Sequence, residues 1–287
     1  MCIITDEILD VSNTEILVAM NSKTKEQITV YSNKTLNVKP ENYMILPVPI
    51  SREPIRFIDL TGIDVFDTLN SIFQQRHRYG DSTLGSDSSV IHHNVGSYDV
   101  YECKTVDSIS TIYVSCSYQL LNLLNKYYKL GFHFLLCKLK SGSEYKYHPL
   151  AYVHKILDNL LFIPTKHLHI HQNVFVENVY DKEYEIWDHD IYIYNLVSQD
   201  NMTFRKKDKK FEIPIERFSS LKTELQEFVK ESKYLPKKDL YTVKYEQFDK
   251  HRKTILPDIK FIHDDVFNIA KFQIKGPYVN DDILISI

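Results

Sequence analysis

Short apolar runs closed by polar turns recur along this chain, and they commit it to a fold built mainly from strands. Thr14–Asn21 (TEILVAMN) and Gln27–Asn33 (QITVYSN) alternate apolar and polar residues on either side of a polar NSKTKE turn. That pattern is a β-hairpin, because successive strand side chains point to opposite faces. Tyr43–Ile50 (YMILPVPI) is continuously apolar and reads as a buried strand, with Pro47 and Pro49 placing its end at a sheet edge. Arg56–Leu60, Tyr98–Lys104, Ser110–Val114, Phe132–Lys140 and Tyr241–Tyr245 read as further strands, and Val266–Ile287 as one or two around a Gly276–Pro277 turn. Helical spacing appears three times. Val65, Phe66, Leu69, Ile72 and Phe73 follow Asp64, a fitting cap. Ser117 opens a stripe of Leu120, Leu121, Leu124, Tyr127 and Tyr128, with Gly131 just past its end. Phe218, Leu221, Leu225, Phe228 and Val229 form the third. Residues 80–96 are mostly small and polar and read as a long loop. About ten strands and three helices, with strands leading, predict an α+β fold with a mainly antiparallel sheet.

Charge divides the chain in two. Residues 201–260 hold 16 Lys and Arg against 10 Asp and Glu, a balance of +6. The remainder holds 19 against 28, a balance of −9. We therefore expect a β-rich core over 1–200 and a basic C-terminal extension over 201–287 packed on it. The basic residues lack interleaved aromatics and no reader motif accompanies them, so specific nucleic-acid binding is not expected. No apolar run approaches the roughly 20 residues of a membrane span. The N-terminus, MCIITDEILD, is acidic where a signal peptide is basic. Cys2, Cys103, Cys116 and Cys137 are widely spaced, which suits reduced thiols in a cytoplasmic protein.

Candidate chemistry concentrates between Tyr147 and Asn195, which hold six histidines and the sole tryptophan. His167, His169 and His171 alternate with Leu168 and Ile170, so on a strand the imidazoles share one face. Such a face can ligate a divalent metal such as zinc, with Asp188 or Asp190 as a carboxylate partner. The same residues can instead form His–Asp hydrogen bonds along a polar sheet edge, with His148 and His189 nearby. Cys2 offers a second chemistry, a thiol nucleophile, against its plainer role as a small buried side chain. No phosphate-cradling G-x-x-x-x-G-K-S/T, dinucleotide G-x-G-x-x-G or hydrolase G-x-S-x-G occurs, which removes the usual support for nucleotide and serine-hydrolase chemistry.

The phrases YMILPVP, HPLAY, LFIPTKHLH and DHDIY, in this order within roughly residues 1–195, resemble an uncharacterised protein family of bacteria, amoebae and giant viruses. The N-terminal part is similar to a bacterial domain of unknown function whose strand ends in a Pro-Val-Pro turn. The resemblance implies a single β-rich domain and functional interest in His148, His167, His169, Asp188 and His189. It brings no activity. Together these readings predict a non-catalytic binding or structural protein, of the host cytoplasm or virion if viral, with a protein partner. The alternative is a hydrolase, metal-assisted through the His167/His169 strand or thiol-based through Cys2.

Overall fold

The computed structural model describes residues 2–21, 24–50, 53–60, 62–63, 65–73, 92–95, 97–156, 160–171, 184–194, 203–205, 210–212, 235–236, 240–244, 268–280 and 282–286. The predicted 80–96 loop lies outside them over most of its length. The predicted helix over 218–229 and the cap residue Asp64 lie wholly outside them.

The chain begins with β1 (Cys2–Ile8), β2 (Asp10–Asn21), β3 (Glu26–Leu36), β4 (Tyr43–Pro49) and the short β5 (Arg56–Ile58). Helix α1 (Val65–Phe73), β6 (His92–Val95) and β7 (Tyr98–Cys103) come next. Helices α2 (Val106–Ile112) and α3 (Tyr118–Lys129) precede β8 (Phe132–Lys138), β9 (Glu144–Lys146), β10 (Leu150–Lys155), β11 (Leu160–Ile163) and β12 (His167–His171). The remaining strands are β13 (Tyr184–Tyr194), β14 (Thr203–Arg205), β15 (Lys210–Glu212), β16 (Leu235–Pro236), β17 (Leu240–Lys244), β18 (Asn268–Val279) and β19 (Ile283–Ser286). This is the α+β, mainly antiparallel architecture expected. Among the described pairings only β1–β12 and β2–β13 run parallel.

Two sheets face each other. One runs β12-β1-β4-β8-β7-β6, the other β17-β18-β13-β2-β3-β10-β5 with β9 added beside β3. Strand alternation sorts the apolar side chains into three cores. Ile16, Val18, Ile191 and Ile193 meet Met44, Leu46, Leu135 and Cys137 between the sheets. Leu17, Ala19, Val30 and Tyr192, one residue out of phase, pack under Val65, Phe66 and Leu69 of α1. Ile45, Phe134 and Leu136 pack under Ile109 of α2 and Leu120, Leu124 and Tyr127 of α3. The layers are thus α1, the larger sheet, the smaller sheet, then α2 with α3. This explains why β2 is buried from Thr14 to Asn21 although its sequence alternates. Both its faces are covered.

Local chemistry sets the ends of α3 as read from the sequence. The Ser117 hydroxyl accepts from the Leu120 N–H at 3.1 Å. Gly131 takes φ +91°, and its N–H donates to the Tyr128 carbonyl at 3.1 Å. That conformation favours glycine, which has no Cβ to clash. Two local expectations are corrected. Ser110–Val114 is not a strand, because Val106–Ile112 is helical, capped by the Thr105 hydroxyl accepting from the Ser108 N–H at 3.2 Å. Buried Val106 and Ile109 on one helical face outweigh the β preference of the ISTIYV residues. Gly276–Pro277 is no turn, since β18 runs through it opposite Trp187 and Ile186 of β13. The proline end of β4 pairs with β8, while β1 pairs only with Met44 and Ile45. A residue without an N–H is tolerated there. Three described strands of the C-terminal part join strands of the N-terminal part: β17 and β18 extend the larger sheet beyond β13, and β19 pairs with β11. Among the described residues no helix is long and apolar enough to cross a membrane.

Candidate functional site

The histidine stretch ends up where the two sheets meet. β12 is the last described strand at one end of the smaller sheet, with His167 opposite Cys2 and Leu168 opposite Ile3. Leu168 packs with the α3 core, so His167 points the other way, between the sheets. In β13, Ile191 and Ile193 face the same interior, and His189 shares their phase. The two imidazoles meet there with Nε2 to Nε2 at 2.8 Å, their rings 4.5 Å apart and edge to face. His167 is 4% and His189 1% exposed.

Two nitrogens at that distance share one proton, so one ring donates while the other accepts. Burial holds His189 well below the ordinary imidazole range, and a hydrogen bond with the Thr165 backbone works against it. Nitrogens bound to one tetrahedral zinc at ~2.0–2.1 Å stand roughly 3.3 Å apart, so a 2.8 Å contact is a hydrogen bond rather than a pair of ligands. Among the described residues no group of three His, Cys, Asp or Glu is placed to hold a metal ion.

The C-terminal residues fix the backbone around this pair. The Asn280 Oδ1 accepts from the His167 N–H at 2.7 Å while its Nδ2 donates to the His167 carbonyl at 2.6 Å. The Asp282 carboxylate accepts from the Thr165 and Lys166 N–H groups, both at 2.9 Å, and from the Tyr127 hydroxyl at 2.7 Å. These are side chains imitating a strand partner where β12 begins.

Of the predicted site residues, His167 and His189 are brought together and the others are placed elsewhere or left undescribed. Asp188 falls on the opposite face of β13, where it accepts from the Asn13 N–H at 3.3 Å and pairs with Lys275 at 3.2 Å. His148 follows β9, its N–H donating to the Ser97 hydroxyl at 2.7 Å. The side chains of Cys2, His169 and His171 lie outside the described set. Of the other thiols, burial pushes Cys103 up to about 12 and also raises Cys116. A thiol held protonated is a poor nucleophile.

One surface feature escaped the sequence reading. Val114 is 85% and Tyr118 76% exposed, the most exposed large hydrophobic side chains among the described residues, and they flank the link between α2 and α3. From Ser108 to Asn125 the sequence has no charged residue, in a chain where a quarter of residues are charged. That gap was the available signal. Val114 and Tyr118 turn outward while Ile109, Tyr113 and Leu120 take the inward positions.

No family model matches the chain, and no curated protein does either. Solved structures that align with the chain include those of baculovirus P35. The crystal structure of P35 aligns over 99% of this chain and 99% of its own, at 14% identity and TM-score 0.49. A mutated P35 after caspase cleavage aligns over 97% and 98%, at 13% identity and TM-score 0.41. The caspase-8/P35 complex aligns over 96% of each, at 13% identity and TM-score 0.39.

Proposed function

We propose that this chain is a non-catalytic protein that works by binding another protein through the Val114–Tyr118 corner. The observation that carries this reading is the uncharged corner itself, which presents a valine and a tyrosine almost fully to solvent. Tyrosine is enriched in protein interfaces, and in antibody paratopes serines and asparagines, as Ser115, Ser117 and Asn122 are here, supply adaptable hydrogen bonds beside it. The candidate chemistry supports the same conclusion from the other side. His167 and His189 are closed away between the sheets on each other, and Cys103 and Cys116 are held as thiols. A photo-reactive phenylalanine at position 118 should cross-link one protein that the same group at exposed Asp107 does not. The purified partner should then bind the wild-type chain and bind Tyr118→Ser at least about tenfold more weakly, roughly 1.4 kcal/mol. No adduct specific to position 118, or equal affinity of both forms, would contradict the reading. Caspase-8, the partner of P35 in one solved complex, is one protein to include in that test. The reading itself rests on this chain's own surface.

The register that sets Cys2 opposite His167 favours one second reading, thiol chemistry at Cys2 with His167 as base. Alkylation of Cys2 with a pH midpoint well below an ordinary thiol, lost in His167→Ala, would support it. An ordinary midpoint, unaffected by the substitution, would end it.

A further inference from the structure

The polar side chains under helix α1 form a second centre, on the outer face of the larger sheet. β2 bulges between Ser12 and Glu15, with Asn13 at φ +48°. Beyond the bulge, Glu15 faces α1 in phase with Leu17 and Ala19. Its Oε1 accepts from the Asn70 Nδ2 of α1 at 2.8 Å. The Asn70 Oδ1 accepts in turn from the Tyr192 hydroxyl at 2.5 Å and the Lys271 Nζ at 2.8 Å. Lys271 pairs with Asp190 at 2.7 Å, and Gln273 donates to the other Asp190 oxygen at 3.0 Å. The cation nearest Glu15 is Lys146 of β9, at 4.0 Å, and Lys146 also lies 3.6 Å from Asp67 on the helix. Glu15 is only 7% exposed.

Among the described residues, the buried Glu15 carboxyl takes its close hydrogen bond from a neutral amide, while the buried ammonium of Lys271 pairs with Asp190. We propose that Glu15 is a proton-sensitive seat for helix α1: protonated, it is a neutral floor on which Asn70 rests, and ionised, it puts a second negative charge beside Asp190 under the helix and loosens it. The apolar contacts of Val65, Phe66 and Leu69 hold the helix in both states, so the change is one of local opening rather than global unfolding. Among the described residues, the charged groups that act on Glu15 come from β13, α1 and β9. Asp190 on β13 and Asp67 on α1 disfavour its ionisation, while Lys146 on β9 and the Asn70 bond favour it. Burial outweighs them all and raises the carboxyl to about 7, so the transition falls at neutral pH.

Hydrogen exchange of the α1 amides against pH, corrected for intrinsic rates and referred to the β8 amides, tests this on the full chain. If opening returns Glu15 to an ordinary carboxylate, α1 protection falls on the order of a hundredfold between about pH 5 and pH 8 while β8 stays level. In Glu15→Gln, which keeps an oxygen for Asn70 but cannot ionise, the fall should shrink to less than about threefold. A level wild-type profile, or the same fall in Glu15→Gln, overturns the proposal. Should that variant not fold, the ¹³C titration of the Glu15 carboxyl in the wild-type chain decides. A midpoint near neutrality supports the seat, and one in the ordinary carboxylate range overturns it.

Discussion

The two faces of β13 hold two kinds of polar centre, one residue apart. His189 looks inward and meets the His167 ring in the space between the two sheets. Asp190 looks outward and joins a charged network of Lys271, Asn70, Tyr192 and, through Asn70, Glu15. The inner centre lies between the sheets, where burial works against a charged imidazole. The outer one lies under a single helix and admits charge. The same backbone alternation that separates the apolar cores also separates the titratable groups into these two environments. Their responses to mutation and pH should therefore be opposite.

The largest effect should come from Lys271→Ala. It leaves Asp190 without its cation in a site where both side chains are largely buried, which costs about 3 kcal/mol or more in denaturant unfolding. Next in size is the acid limb of stability. His154, fully buried beside β3, is held down to about 4 by its burial, and its ring Nδ1 contacts the Lys155 carbonyl at 2.8 Å. A histidine whose folded pKa is depressed gives stability that is present above its unfolded value and lost as pH falls toward the folded one. Between about pH 6.5 and pH 4 that loss is on the order of 3 kcal/mol, and His189 adds to it in the same direction. Glu15 has the opposite sign. Its raised pKa gives stability that is full below about pH 4.5 and declines up to about 7, so Glu15→Gln should flatten that decline and leave the acid limb unchanged. Coincident profiles for wild type and Glu15→Gln would erase the distinction between the two centres.

His167→Ala should cost about 1–3 kcal/mol, because His189 is left buried without its partner. Added chelator should not change that cost, since at 2.8 Å the two nitrogens are bonded to each other. A chelator-sensitive difference would instead reinstate the metal face that the alternating histidines suggested.

These contrasts also explain what was legible in the sequence. Features decided within a few residues could be read: the Ser117 cap, the Gly131 stop, the paired strands around NSKTKE. Features decided across the sandwich could not. Val106–Ile112 is helical because Ile109 fits the groove over the smaller sheet, and no window of local sequence contains that sheet. That His167 would face the interior follows from its strand phase, but its partner depends on how β13 crosses behind β12. Asp188 and His189 are adjacent in sequence and therefore on opposite faces, so they could not both join it. Glu15 gave no sign at all. An acid in TEILVAMN reads as the solvent side of a hairpin until α1 covers it.

The smallest stability effect should be at the corner between α2 and α3, and there the central claim is tested most directly. Tyr118→Ser removes an exposed side chain and should shift folding stability by no more than about 0.5 kcal/mol. The decisive measurement is the affinity of the protein cross-linked from position 118 for wild-type, Tyr118→Ser and His167→Ala chains, each checked as folded. The account predicts binding weakened at least about tenfold by Tyr118→Ser and left unchanged by His167→Ala, so that function and the buried histidine pair separate. Binding indifferent to Tyr118 but lost with His167 would contradict it.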